Sequence, residues 1–353
     1  MADALLTETA RKVFADTCSF DAVEEAEAAG WAAGVWTALA DTGLAWVGVP
    51  EAAGGSGGTL DDALEVLRIA GAHSAPVPLA ETGVLGGWLL AGAGLTVPSG
   101  PATVAPGNPG DDVALAGSRV TGVVHRVPWA RTAERIVLLG GTSAPTLISI
   151  PADSVRVEPA TNLAGEPRDT VHFDGVAAEV APAGPGVDAA TVRARGALTR
   201  VALMAGALER MVDLAVEYTA QRHQFGKAIA TFQAVQAHLV HAAQDAALVN
   251  MALAQAGRAA VDGDGWFEIA SAKILANQAA STATRHVHQA HGAMGLTREY
   301  PLHHSSRRLW AWRSEYGDER EWMRVLGRTV IGEGADRLYP VITGGSGVLT
   351  NPA

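Results

Sequence analysis

The chain has 353 residues, a formal charge of -11 and a pI near 5.4, so it has no bulk positive charge with which to neutralise a nucleic-acid backbone. Hydrophobic residues make up 48% and charged residues 18%, with a mean hydropathy of +0.14, a balance that fits two or three domains with large buried faces. The single cysteine, Cys18, excludes an intrachain disulfide and points to a reducing cytoplasm, and neither a signal-peptide start nor a membrane-length apolar run is present.

Residues 1–97 read as helical. Leu5, Leu6, Ala10, Val13 and Phe14 recur at helical spacing, and Trp31, Val35, Trp36, Leu39 and Leu44 repeat the pattern. Gly43 is placed to end that second helix. The run Gly54 to Gly58 resembles a phosphate cradle but lacks the Lys-Ser/Thr ending of a P-loop, so it reads better as a helix connection. Thr59 is then an N-cap, with Asp61 and Asp62 in the first turn, where the helix dipole favours negative charge.

Over residues 98–184 the texture changes. Pro and Gly rise and short β-branched runs appear at Val120 to Val127, Arg135 to Leu139, Thr146 to Ile150 and Thr170 to Phe173. Pro109-Gly110 and Gly140-Gly141 are turn signals, and the whole suggests a small domain of antiparallel strands. Residues 185–340 return to long helical patterns at Val187 to Gln221, Thr231 to Ala260 and Gly265 to His291, each long enough for a bundle. Residues 341–353 read as a flexible tail.

Two stretches carry chemistry. The first is Arg222-His223-Gln224-Phe225-Gly226, followed by Ile229, Phe232 and Gln233. It ends a long helix with a planar Arg fork suited to bidentate capture of a pyrophosphate, beside two aromatic faces. Taken alone it is as much a helix–turn–helix corner as a site, with Thr231 able to cap the next helix. The second is Gln289-Ala290-His291-Gly292-Ala293-Met294-Gly295, with Pro301 placed to start a helix and Arg307-Arg308-Leu309-Trp310 after it.

Together these motifs closely resemble the acyl-CoA dehydrogenase superfamily. The resemblance implies an α+β fold with an N-terminal helical domain, a central β-domain and a C-terminal four-helix bundle, assembled as tetramers with FAD in clefts between subunits. It further implies that Arg222, Gln224, Phe225, Ile229, Phe232 and Gln233, with Gln289, Ala290 and Ala293, reach a neighbouring subunit's FAD. The family's chemistry is α,β-desaturation of an acyl-CoA, in which a desolvated carboxylate removes the α-proton while the β-hydrogen leaves as hydride. An electron-transfer flavoprotein is the implied acceptor.

The chain departs from that pattern where catalysis is concerned. The usual base position falls on Tyr316, whose reference pKa of about 10 makes it a poor base; the carboxylate stands one place earlier, at Glu315. The family's other base location falls on Gly196. No Thr-Glu-Pro…Gly-Ser-Asp run occurs in the β region, and Asp318 and Arg320 replace the usual Thr and Gln that hold a subunit's own FAD. This asymmetry resembles the smaller, catalytically incomplete subunit of actinobacterial steroid-type heterotetramers, whose partner is a complete dehydrogenase subunit. A homomeric enzyme with Glu315 as base, and a flavin-free scaffold of the same fold, remain as alternatives.

Other features read more plainly. His286, His288 and His291 fall on different helix faces, which argues against a common metal. His303 and His304 read as helix-surface residues, Trp310 and Trp312 as packing, and Glu209, Asp213 and Glu217 as an exposed stripe. Glu315, Asp318, Glu319, Arg320 and Glu321 also fit a solvated helix start with local ion pairs.

Overall fold

The computed structural model describes residues 2–141, 144–263 and 265–344. Along the chain, helices are followed by strands and then by helices again. Contacts divide it into two compact units, Met1–Leu67 with Ala75–Gly196, and Arg68–Ser74 with Ala197–Ala353.

In the first unit the helix boundaries follow local capping chemistry. Helix α1 (Ala4–Thr17) begins where the Asp3 side chain accepts from the Leu6 N–H, and α2 (Phe20–Ala29) where Ser19 accepts from Ala22. Ala10 and Phe14 form the buried face of α1, whereas Leu5 points outward. Helix α3 (Ala33–Asp41) buries Val35, Trp36 and Leu39, and the chain turns at Gly43, which has a φ of 73°. Thr59 caps α4 (Leu60–Ala72) reciprocally: its N–H and hydroxyl donate to Asp62, and its hydroxyl accepts from the Asp62 N–H. Burial alone would raise the Asp62 pKa, but the Thr59 and Asp3 hydrogen bonds outweigh it and hold the carboxyl below its ordinary value. A wholly buried π-helical segment, Ala80–Gly87, then runs into the short helix α5 (Trp88–Gly92).

The strands of this unit form two four-stranded sheets. One has the order β1 (Ala102–Val104), β4 (Arg135–Gly140), β5 (Thr146–Pro151), β8 (Glu179–Pro182). The other has the order β2 (Asp112–Ala116), β3 (Arg119–Pro128), β7 (Arg168–Ala177), β6 (Arg156–Glu158). Alternate residues of both meet in one core that includes Val120, Val124, Ile136, Leu138, Ile148, Ile150, Val171 and Phe173. The expectation of purely antiparallel strands needs one correction, because β1 pairs in parallel with β4. The intervening chain through β2 and β3 carries it across to the other sheet and back, which a direct hairpin could not do. Strand β3 is irregular, with register shifts between Val120 and Gly122 and between Val124 and Val127. Gly122 allows the first: a Cβ there would stand 1.9 Å from the Asp112 carbonyl oxygen.

The second unit is helical. The long helix α6 (Ala189–Gln221) supplies residues from Ala197 onward and crosses the end of α4 at backbone contact. A Cβ on Gly71 would lie 2.1 Å from the Leu203 carbonyl oxygen, and one on Gly206 would lie 1.8 Å from that of Arg68. The crossing therefore requires glycine on both helices, and Arg68 pairs with Glu209 beside it. Helices α7 (Gln233–Asp262) and α8 (Trp266–His291) pack on each other, and their buried positions include Ala242, Ala246, Ala272, Ala276, Ala279 and Ala283. Helices α9 (Leu302–Trp312), α10 (Glu319–Glu333) and α11 (Leu338–Gly344) complete the unit. Of the Gly344-Gly345-Ser346-Gly347 stretch expected to fray, Gly344 ends α11 and the other three lie outside the described residues.

Two local expectations are corrected. Thr231 does not cap α7: its hydroxyl donates back to the Ala228 carbonyl, and Phe232 takes the N-cap position. His304 is buried, because successive helical residues are about 100° apart and the neighbour of half-buried His303 turns inward.

Candidate functional site

Between α6 and α7 the chain forms a small hairpin. Strands β9 (His223–Gln224) and β10 (Lys227–Ala228) pair in antiparallel fashion around a two-residue turn, Phe225-Gly226. Both turn residues have positive φ, 53° and 79°, the arrangement that two-residue hairpins demand. Gly226 adopts it freely. For Phe225 the left-handed region costs roughly 1–2 kcal/mol, yet its ring is 91% exposed. Burial of the ring within this chain does not offset that strain.

The hairpin's base is fixed by the main chain of Arg222, whose N–H donates to the Tyr218 carbonyl and whose carbonyl accepts from the Ile229 N–H, each at 2.8 Å. This leaves the Arg222 side chain exposed, with Gln224 beside it. Phe232 is half-buried, meets Phe225 edge-on at 6.1 Å between centroids, and has the Lys227 ammonium 4.4 Å above its ring. Ile229 opens a single 3-10 turn, and Gln233 is the exposed first residue of α7.

The second motif ends α8. Gln289 is exposed and Ala290 buried on its last turn, while Ala293 is exposed in a 3-10 turn, Gly292–Leu296. His291 ties the two motifs together. Its ring stacks on Tyr218 at 4.7 Å, four residues before Arg222, and lies 5.0 Å from Tyr300. Its Nδ1–H donates to the Val287 carbonyl at 2.8 Å. Burial, partly opposed by that hydrogen bond, holds its pKa below the ordinary histidine value, so it serves as a neutral spacer. Gly295 is small because a Cβ there would come within 2.9 Å of the His291 Cβ.

The segment at the usual base position is built quite differently. Arg200 of α6, 1% exposed, donates from Nε to the Glu315 carboxylate at 2.6 Å, and Glu315 itself is 9% exposed. The same guanidinium lies 5.2 Å from the centroid of the Tyr316 ring. Tyr316 has a φ of 54°, and its carbonyl accepts from the Trp322 indole N–H at 3.0 Å. Fully buried Lys273 of α8 donates to the carbonyls of Trp312 (2.9 Å) and Arg313 (3.2 Å) at the end of α9, and to Asn277 Oδ1 (2.9 Å). Burial pushes the Lys273 pKa down to about 7; Glu315 resists that shift, and Arg200 and Arg313 add to it. Asp318 and Glu321 form a reciprocal capping box at the start of α10. Asp318 is therefore engaged in starting α10, and Arg320 stands exposed in the first turn.

Sequence reasoning missed the Arg200–Glu315–Lys273 set and the Tyr218–His291–Tyr300 joint. A signal for the first was available: Lys273 is one of three lysines in the chain and sits among alanines on a helix otherwise fit for burial. Gly196 lies buried within α6 and offers no side chain.

This order of helices, sandwich and helices is that of the acyl-CoA dehydrogenase fold. The family model for the acyl-CoA dehydrogenase C-terminal domain matches residues 188–320. Acyl-CoA dehydrogenase FadE34 of Mycobacterium tuberculosis is 31% identical over 318 residues, which cover 85% of this chain and 42% of FadE34. The chain thus spans less than half the length of that relative. The solved Tcur3481-Tcur3483 steroid ACAD (G363A variant) has a TM-score of 0.83 at 26% identity, covering 94% of this chain and 98% of that one. The ChsE4-ChsE5 complex from Mycobacterium tuberculosis has the same fold, with a TM-score of 0.84 at 23% identity and coverage of 92% and 96%. The chain belongs to the acyl-CoA dehydrogenase superfamily and resembles its steroid-type branch. Among the described residues no helix is long and apolar enough to cross a membrane.

Proposed function

We propose that this chain is the catalytically incomplete subunit of a heterotetrameric, FAD-dependent acyl-CoA dehydrogenase, and that it completes the flavin site of its partner. The observation that carries this reading is the base position. Tyr316 occupies it, and the adjacent carboxylate of Glu315 is held by Arg200 in a buried ion pair at 2.6 Å. A carboxylate stabilised as an anion by a guanidinium is a weak acceptor for an α-proton. That weighs against a homomeric enzyme with Glu315 as base.

The hairpin supplies the other half of the argument. Arg222, Gln224 and Phe225 present a planar cation, an amide and an aromatic face that this chain leaves in solvent. These groups fit FAD chemically: the guanidinium suits a pyrophosphate, and the aromatic faces suit a planar heterocycle. Ile229, Phe232, Gln233, Gln289, Ala290 and Ala293 would line the same approach. FAD, when bound, would supply the hydride acceptor, and the residues of this chain would hold and orient it. In this reading residues 1–97, 98–184 and 185–340 are the family's three domains, working in the cytoplasm with an electron-transfer flavoprotein as acceptor. The likeness to a steroid ACAD supports a steroid-derived acyl-CoA as the substrate of the complex.

The test is to purify the chain alone and co-expressed with a complete dehydrogenase subunit, then measure FAD per protomer and oligomer size. The expected result is a colourless chain alone and a flavin-bearing heterotetramer on co-expression. A yellow homotetramer with one FAD per chain would overturn the reading. Unchanged flavin content and turnover in a complex carrying Arg222→Ala would leave only the scaffold.

A further inference from the structure

The two exposed motifs meet at a triangle of aromatic rings. Tyr218 stands one turn before Arg222 at the end of α6, and the Arg222 N–H donates to its carbonyl at 2.8 Å. His291 ends α8 two residues after Gln289, and Tyr300 follows the 3-10 turn that carries Ala293. The His291 ring stacks on Tyr218 with centroids 4.7 Å apart at 20°. Tyr300 meets Tyr218 edge-on at 5.8 Å and lies 5.0 Å from His291, so all three pairs are within aromatic contact. The Tyr300 hydroxyl is itself held by the Leu214 carbonyl of α6, at 3.2 Å.

A histidine is a costlier residue here than packing requires. Its Nδ1 lies 2.8 Å from the Val287 carbonyl, which can only accept, so Nδ1 carries the proton. Nε2 is then a bare lone pair, buried and without a hydrogen-bond partner, in a residue only 3% exposed. A second proton would let the ring donate to the Leu214 carbonyl as well, but burial outweighs both carbonyls and holds the pKa below the ordinary histidine value. A buried acceptor left unsatisfied is destabilising, and a phenyl ring would fill the place without one. What a phenyl ring lacks is the Nδ1–H tether to Val287. That bond fixes how far the ring is turned about its side-chain bonds, and so where Tyr218 can stack on it.

We propose that His291 is a positioning residue for flavin capture: its tethered ring sets the spacing between the Arg222–Gln233 and Gln289–Ala293 motifs, an inference that rests on the function proposed above. The line of contact is short. The Val287 carbonyl orients His291, His291 seats Tyr218, and the Tyr218 carbonyl receives the Arg222 N–H. The Arg222 carbonyl in turn receives the Ile229 N–H and closes the hairpin. Tyr300, held at Leu214, forms the third side of the triangle, so Tyr218 cannot shift without moving it. Being buried, His291 acts through Arg222 and Gln289, which are exposed.

The experiment compares two substitutions in the complex co-expressed with a complete dehydrogenase subunit. His291→Phe keeps a ring and removes the tether; His291→Asn keeps a donor for Val287 and removes the ring. Each should weaken FAD binding by roughly three- to tenfold. Each should also speed hydrogen exchange of the Ile229 amide in the chain alone, which reads the hairpin without flavin. His291→Phe should do both with an undiminished melting temperature, because the unsatisfied Nε2 is gone. Combined with Arg222→Ala, either should add little further loss, since one residue acts through the other. Loss of flavin with Arg222→Ala but with neither His291 variant would overturn the inference alone, as would losses that add in full to that of Arg222→Ala. A complex that takes up no flavin in any form would overturn the underlying reading, and the inference with it.

Discussion

Two regions of the helical unit carry an aromatic residue at positive φ, Phe225 at 53° and Tyr316 at 54°, and they use their polar neighbours in opposite ways. Around Phe225 the main chain is tied down while Arg222, Gln224 and the ring itself face solvent. Around Tyr316 the charges are paired within the chain: Glu315 on buried Arg200, buried Lys273 on the carbonyls that end α9, and exposed Asp318 on the first turn of α10. The strained hairpin displays its groups to solvent. The strained loop sits beside a buried cluster in which Arg200 pairs with Glu315 and Lys273 with main-chain carbonyls. The contrast separates an exposed polar and aromatic surface from a buried charged cluster, and each half can be broken alone.

The largest effect is expected in the loop. Arg200→Leu strands Glu315 in a buried site and should destabilise the chain by about 3–5 kcal/mol, read as a lower urea midpoint. Adding Glu315→Gln should recover much of that loss, because the uncompensated charge is gone. In the assembled complex Glu315→Gln alone should retain turnover, since the reading gives this carboxylate no proton to take.

The hairpin should respond in flavin content and not in stability. Arg222→Ala in the co-expressed complex removes a charge-assisted contact worth about 1.5–3 kcal/mol. FAD affinity should fall by roughly ten- to a hundredfold, with an unchanged melting temperature of the isolated chain. A matching loss of stability would mean that Arg222 packs rather than binds.

The pH dependence of stability tests Lys273. Its pKa is about 7 when folded, against an ordinary 10.5. Between those values the unfolded chain binds more protons than the folded one, so stability should rise with pH across this window. The Lys273 contribution is flat below it and above it. Lys273→Met should remove that slope, and an unaltered slope would assign it to other groups.

The smallest effect is the release of strain at the turn. Phe225→Gly should raise stability by about 1 kcal/mol while lowering the flavin content of the complex. Stabilisation without loss of flavin would sever the link between the strained ring and the cofactor.

Much of the architecture was legible because short-range chemistry decides it. Val35, Trp36 and Leu39 announce a helix, Gly43 its end, and Thr59 with Asp62 the start of the next; alternating valines and isoleucines announce the sandwich. The Arg222–Phe232 and Gln289–Gly295 motifs were visible as words in the chain. Helix α2 and the π-helical segment at Ala80–Gly87 were not read, and neither was the parallel pairing of β1 with β4. A strand's partner depends on where distant chain returns, which no local pattern encodes.

The sequence by itself determined that Tyr316, with Glu315 one place earlier, stands at the position the family resemblance marks, and that the Arg222–Gln233 and Gln289–Gly295 motifs are present, because residue identity and spacing suffice for both. Only the tertiary structure decided what Glu315 does. Its partners, Arg200 and Lys273, lie far away in sequence on α6 and α8, and the energy of a carboxylate is set by which charges burial brings within a few ångströms. The same holds for Tyr218 and His291, distant in sequence yet with ring centroids 4.7 Å apart in the fold.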